Sequence, residues 1–203
     1  PLQQPLFTHD SSWMIPEVLP DLSKAKEICI DLETWDPNLK ERGSGWARKD
    51  GHIVGIALAT EGWQGYFPVR HRSGGNLDEK LVFGWLKEML STNSDKICHN
   101  ASYDIGWLKA EGIEAKGRII DTMVAAPLID ENRFSYSLNA LGRHYLQESK
   151  NEELLNDAAE AWNVDSKSGL SELPPMYVGP YAEQDAALTC LLYTSDAADD
   201  RMR

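Results

Sequence analysis

Residues 27–36 read EICIDLETWD, and the reading of this stretch decides the architecture. Ile28, Cys29 and Ile30 form an apolar, partly β-branched run of the kind that fills a buried strand. The run leads straight into Asp31 and Glu33, which the two-residue period of a strand places on one face. Burying unpaired carboxylates is costly, so two like charges at the end of a core strand need a reason. Ligand sites in α/β sheets gather at the carboxyl ends of strands. The bland alternative is a solvated strand end.

Outward from this strand, HIVGIALAT (52–60) and GWQGYFPV (62–69) are apolar runs split by a turn and read as a hairpin. LDEKLVFGWLKEML (77–90) has the period of an amphipathic helix, with Asn76 as the expected N-cap. KICHN (96–100) reads as a short strand, followed by a helix ending at Gly112. GRIIDTMVAAPLI reads as a strand and then a helix from near Asp121. YSLNALGRHYL and NEELLNDAAEAW are expected helices, and the segment after Pro180 becomes helical. Strands that come first as a meander and then alternate with helices predict an α/β fold with one mixed central sheet flanked by helices. Residues 1–25 carry Pro1, Pro5, Pro16 and Pro20 and are expected to be irregular, with SWMIPE as a candidate edge strand.

Composition sets bounds. The 203 residues suffice for one well-buried domain. Cys29, Cys98 and Cys190 are odd in number and scattered, which argues against a disulfide framework and for a reducing compartment. No apolar run reaches membrane-spanning length and no signal-peptide pattern opens the chain. The formal charge of -12 speaks against a sequence-specific DNA reader. It does not speak against a nuclease whose carboxylates hold divalent cations, because the loaded site is positive toward phosphate.

Two further acidic features stand beside Asp31 and Glu33. In CHNASYD, Asp104 falls in the first turn of a helix, four residues after Asn100; a purely structural helix-dipole charge is the alternative. In YAEQDAA, Tyr181 and Asp185 share one helix face at i, i+4; an exposed face is the alternative. Each is modest alone. Together, Asp-x-Glu, Asn-x-x-x-Asp and Tyr-x-x-x-Asp, in this order, resemble the DEDD superfamily of 3′→5′ exonucleases. Tyr181 matches the tyrosine-type (DEDDy) branch, because the histidine-type position, five residues before the last Asp, is Pro180. The wider context, including HNASYDIGWL, IIDTMVAAPLID and YVGPYAEQDA, resembles the proofreading exonuclease domain of phage-like family A DNA polymerases.

The resemblance implies a ribonuclease H-like fold over residues 26–193, a tail at 194–203 that is truncated or non-native, and a bacterial or phage-infected cytoplasm. It implies two divalent ions, Mg²⁺ or Mn²⁺, with Asp31 bridging both, Glu33 and Asp185 completing one site, and Asp104 supporting the other. Such ions let like-charged carboxylates stand together, which would answer the question raised by Asp31 and Glu33. Tyr181 would orient the attacking water, since a phenol near pKa 10 is a poor base at neutral pH. Thr34, Trp35, His99 and Asn100 are the expected contacts to a single-stranded DNA 3′ end, with Asn100 as a helix cap in the alternative. Asp121 reads better as a helix N-terminal charge. Trp46, Arg48 and Lys49 are candidates to stack and steer a strand, against a plain surface loop. A family A polymerase domain is the expected partner outside this chain.

The same acids would serve RNase D-like trimming of RNA, and a retained but inactive nucleic-acid-binding or polymerase-docking module is the non-enzymatic alternative. Two departures from the family pattern stand out: the stretch from Arg133 to Pro174 carries no usable motif, and TSDAADDRMR does not continue the last apolar helix.

Overall fold

The computed structural model describes residues 10–194. Residues 1–9 and 195–203 lie outside the described part, and with them all but Thr194 of the expected tail.

Five strands form one mixed sheet in the order β3-β2-β1-β4-β5. They are β1 (Glu27–Trp35), β2 (His52–Thr60), β3 (Trp63–Pro68), β4 (Asp95–Cys98) and β5 (Ile119–Asp121). β1 pairs antiparallel with β2, and β2 with β3; β4 runs parallel to β1, and β5 parallel to β4. The helices are α1 (Leu39–Arg42), α2 (Glu79–Leu90), α3 (Ala101–Ala110), α4 (Thr122–Ile129), α5 (Leu138–Leu141), α6 (Glu153–Trp162) and α7 (Pro175–Thr194). This mixed sheet with flanking helices is the ribonuclease H-like arrangement.

The strand that opens the argument sits at the centre, and its alternation builds two cores. Ile28, Ile30 and Leu32 face α2 and α3, packing with Ile53, Ile56, Leu86 and Trp107. Cys29 faces the other way, with Ala57, Ala59 and Ile97, under Ala182 and Ala186 of α7. The small residues there bring α7 close to the sheet. Asp31 and Glu33 continue the odd-numbered row toward α7. Directly after Glu33 the pairing with β2 slips at a β-bulge between Glu33 and Thr34. Such an irregularity bends the strand and re-aims its side chains.

Four local expectations are corrected. The cap of α2 is Asp78, whose carboxylate accepts from the Leu81 N–H, while Asn76 bonds the His71 backbone instead. SWMIPE forms no strand. YSLNALGRHYL is not one helix: α5 passes at once into a wider π turn, Gly142–Leu146. Finally, α7 starts at Pro175, where a missing N–H costs nothing, and runs through Pro180.

A proline inside a helix leaves the carbonyl four residues back without its partner. Here that carbonyl belongs to Met176, and the Ser11 hydroxyl donates to it at 2.7 Å. The irregular N-terminal segment is therefore stitched to α7. Trp13 lies flat against Gly179, where any Cβ would stand 2.3 Å from its ring. The Trp13 indole N–H donates to Glu183 at 2.8 Å.

Candidate active site

The carboxyl end of β1, the first turn of α3 and the middle of α7 bring Asp31, Glu33, Asp104, Tyr181 and Asp185 together. Asp31 and Glu33 are partly buried, and Asp104 and Asp185 are buried. Asp104 faces β1 directly: its Oδ1 accepts the Leu32 backbone N–H at 3.0 Å. This bond fixes α3 to the strand.

The electrostatics follow from this proximity. Burial and the neighbouring Asp185 push the Asp31 carboxyl up to about 7, against a pull downward from Lys150. Burial, then Asp31 and Asp185, raise Glu33 well above the usual carboxylate range. Asp104 is raised by burial and then by Asp31, and Asp185 by burial, which outweighs Lys150. Asp31 thus stands at the centre, felt by both Glu33 and Asp104 and itself perturbed by Asp185. Burial and the same carboxylates push the Tyr181 phenol far above its ordinary range, so it stays protonated at neutral pH.

Lys150 is the site's cation. Its Nζ pairs with Asp185 Oδ2 at 2.5 Å, lies 3.3 Å from the Tyr181 hydroxyl, and sits 4.7 Å from the Tyr181 ring centroid. No motif in the sequence marks it; it lies in an acidic stretch that reads as a solvated face. The remaining oxygen of the pair, Asp185 Oδ1, is buried without a hydrogen-bond partner.

The donor set is all hard oxygen, which suits Mg²⁺ or Mn²⁺ rather than a soft metal. Among the described residues, no three His, Cys, Asp or Glu side chains close on a single point. Asp31, Glu33, Asp104 and Asp185 lie within electrostatic reach of one another. One of them is held by the Lys150 ammonium. The orphaned Asp185 oxygen and the raised carboxyl pKa values are what a cation would relieve, so the residues fit the ions.

The expected substrate contacts are distributed unevenly. Thr34 Oγ1 is 2.6 Å from the Tyr103 hydroxyl. Both residues line a cleft of about 570 Å³ beside Glu33, with Asp36, Lys40 and Lys167. Trp35 is engaged elsewhere, with the His52 ring at 5.3 Å and the Arg72 guanidinium at 5.3 Å. His99 Nδ1 lies 2.8 Å from the Thr122 hydroxyl, and its buried Nε2 has no partner. Asn100 takes a left-handed conformation (φ 78°) and makes no side-chain cap to the helix backbone. Asp121 does the capping. It accepts from the N–H groups of Asn100 and Ala101 at the start of α3, and from those of Met123 and Val124 at the start of α4. Trp46 packs on α3 at Gly106, where a Cβ would meet its indole at 2.5 Å. Arg48 holds the carbonyls of Arg42 and Gly43. These contacts tie Trp46 and Arg48 to the scaffold.

Residues 15–195 match the family described as 3'-5' exonuclease, from A-type DNA polymerases. The chain belongs to this exonuclease family. It is 39% identical over 195 residues to a DNA-directed DNA polymerase of Pseudomonas phage M6, covering 92% of this chain and 29% of that one. It is 25% identical over 182 residues to DNA polymerase I of Borreliella burgdorferi, covering 88% of this chain and 18% of that one. The exonuclease domain thus spans less than a third of these relatives. Among solved structures, Trypanosoma brucei RNase D in complex with RNA U12 superposes with a TM-score of 0.62 at 17% identity, over 87% of this chain and 58% of that one. A nuclease in its apo form gives 0.59 at 17% identity, over 88% of this chain and 73% of that one. The fold is that of the DEDD exonucleases. None of the described helices is long and apolar enough to cross a membrane.

Proposed function

We propose that this exonuclease shortens single-stranded or frayed DNA from its 3′ end, releasing nucleoside 5′-monophosphates. The observation that carries this reading is the meeting of four acidic side chains from separate stretches beside Tyr181, each with its carboxyl pKa raised by burial, and those of Asp31, Glu33 and Asp104 raised further by a neighbouring carboxylate. Asp31, Glu33, Asp104 and Asp185 would hold two divalent ions, which when bound stabilise the attacking and leaving oxygens of an in-line displacement and acidify the attacking water.

The remaining steps belong to the chain's own groups. The Tyr181 hydroxyl, always protonated, orients the water by hydrogen bonding and does not take its proton. The water oxygen forms a bond to the terminal phosphorus and the P–O3′ bond breaks. The proton given up by the water passes to solvent and the displaced 3′-oxygen takes one from solvent, so the net change is addition of one water. The cleft beside Glu33 would take the penultimate nucleotides, with Tyr103 lining it and Lys40 and Lys167 facing phosphates. His99 and Asn100, at the β4–α3 junction, would bound the site on its other side.

DNA is favoured over RNA because the curated relatives are DNA polymerases. By the same kinship the domain would proofread for a polymerase in a bacterial or phage-infected cytoplasm. Likeness to RNase D extends to the fold, and RNA trimming is the second reading. A 3′-labelled oligonucleotide incubated with Mg²⁺ should lose its label as mononucleotide, and chelator should stop the loss. Matched DNA and RNA strands separate the two readings. Label loss that persists in chelator would sink the metal-dependent mechanism.

A further inference from the structure

Lys150 stands where a second function can be read. Its side chain is only 11% exposed, with Nζ 2.5 Å from Asp185 Oδ2 and 3.7 Å from Glu152 Oε1. Its position is built. The Lys150 N–H donates to Asn139 Oδ1, the Asn151 N–H donates to Gln184 Oε1 at 2.7 Å, and the Gln184 amide donates to the Ser149 carbonyl. Three consecutive residues are thereby pinned, two of them to the helix that carries Tyr181 and Asp185. A lysine stem held at both sides costs entropy, and a surface loop would have no use for that. Its reward is charge. The ammonium is placed between the Asp185 carboxylate and the Tyr181 hydroxyl.

We propose that Lys150 is a positioning residue that acts as the resident cation of the metal-free site, competing with the divalent ion for Asp185. This rests on the metal-dependent reading above. Without ions, the ammonium keeps Asp185 and the Tyr181 hydroxyl in place and offsets the repulsion among the carboxylates. An incoming ion has to draw Asp185 away from Lys150, so the lysine sets the ion concentration at which the site fills. The Asp185 oxygen that Lys150 leaves unpartnered gives the ion a first foothold.

The test is Mn²⁺ binding to the chain without DNA, followed by titration calorimetry. Lys150→Met should bind Mn²⁺ at least about tenfold tighter than wild type, since a unit charge at hydrogen-bond distance is removed. Lys150→Arg, which keeps the charge, should stay near wild type. Should Lys150→Met fail to give a cooperative melt, Lys150→Gln carries the same expectation. Acylation of the Lys150 amine, followed by mass spectrometry, should quicken when Mn²⁺ is added to the wild-type chain. Equal or weaker Mn²⁺ affinity in the neutral variants overturns the role of Lys150 and leaves the nuclease reading standing. Absence of Mn²⁺ binding by wild type and variants alike, with the site unaltered by Mn²⁺ in the acylation experiment, overturns both.

Discussion

Lys96 and Lys150 are both largely withdrawn from solvent, and they are opposites. Lys96, on β4, is fully buried. Its Nζ donates to the carbonyls of Thr92, Ser94 and Lys116 at 2.7–2.8 Å and to the Ser94 hydroxyl at 3.0 Å. All its partners are neutral oxygens of nearby turns, so the ammonium serves as a staple. Lys150 instead faces carboxylates that repel one another, beside an oxygen left without a partner. Burial alone does not mark a functional charge. A satisfied ion among neutral acceptors stabilises the fold, whereas an unbalanced set of like charges points to a ligand.

The contrast can be broken most forcefully at the acids. Asp31→Asn should lower the cleavage rate by about 10³-fold or more, because a ligand oxygen of both proposed ions is lost, while the melting temperature holds or rises. Retained cleavage in a folded Asp31→Asn chain would move the site elsewhere. The second effect is on stability against pH. The Asp31 carboxyl titrates near 7 in the fold, against 3.8 ordinarily. A raised carboxyl favours folding below its unfolded pKa and loses that contribution as pH climbs through the folded value. The metal-free chain should therefore lose stability between about pH 4 and pH 7 relative to Asp31→Asn, as read by thermal melts. Parallel profiles for the two chains would refute the crowding of these carboxylates.

At the other lysine, Lys96→Met should cost about 2–3 kcal/mol in urea unfolding, since several buried carbonyls lose their partner. Cleavage per folded molecule should not change, and a specific loss of activity would blur the distinction drawn between the two lysines. Tyr181→Phe should reduce the turnover rate about tenfold, the worth of one hydrogen bond near 1.4 kcal/mol, with the substrate Michaelis constant little altered. A total loss would mean that the phenol does more than orient water.

Much of this was legible in residues 27–36. An apolar run ending in paired acids places the central strand and the site on it, because a two-residue period cannot hide which face carries charge. The hairpin, the parallel strands and the acids on α3 and α7 follow from local pattern. Lys150 was not legible. A lysine among glutamates reads as a solvated face, and only the return of the chain past α7, pinned by Gln184, turns it inward. The helical start at Pro175 was hidden for a similar reason. Two adjacent prolines read as a break, yet Pro175 falls where its missing donor does no harm and the gap at Pro180 is closed by a residue far away in sequence. The packing of Trp46 was equally hidden, since an aromatic in a polar loop gives no sign of the Gly106 beneath it.

That distant donor has a practical meaning. Ser11 and Trp13 belong to no regular element, and trimming to the first strand would seem harmless. Yet they complete the helix on which Tyr181 stands, one position after the proline that interrupts it. A shortened enzyme beginning at residue 26 would therefore be expected to aim its phenol less well, while the acids of β1 and α3 remained where they are.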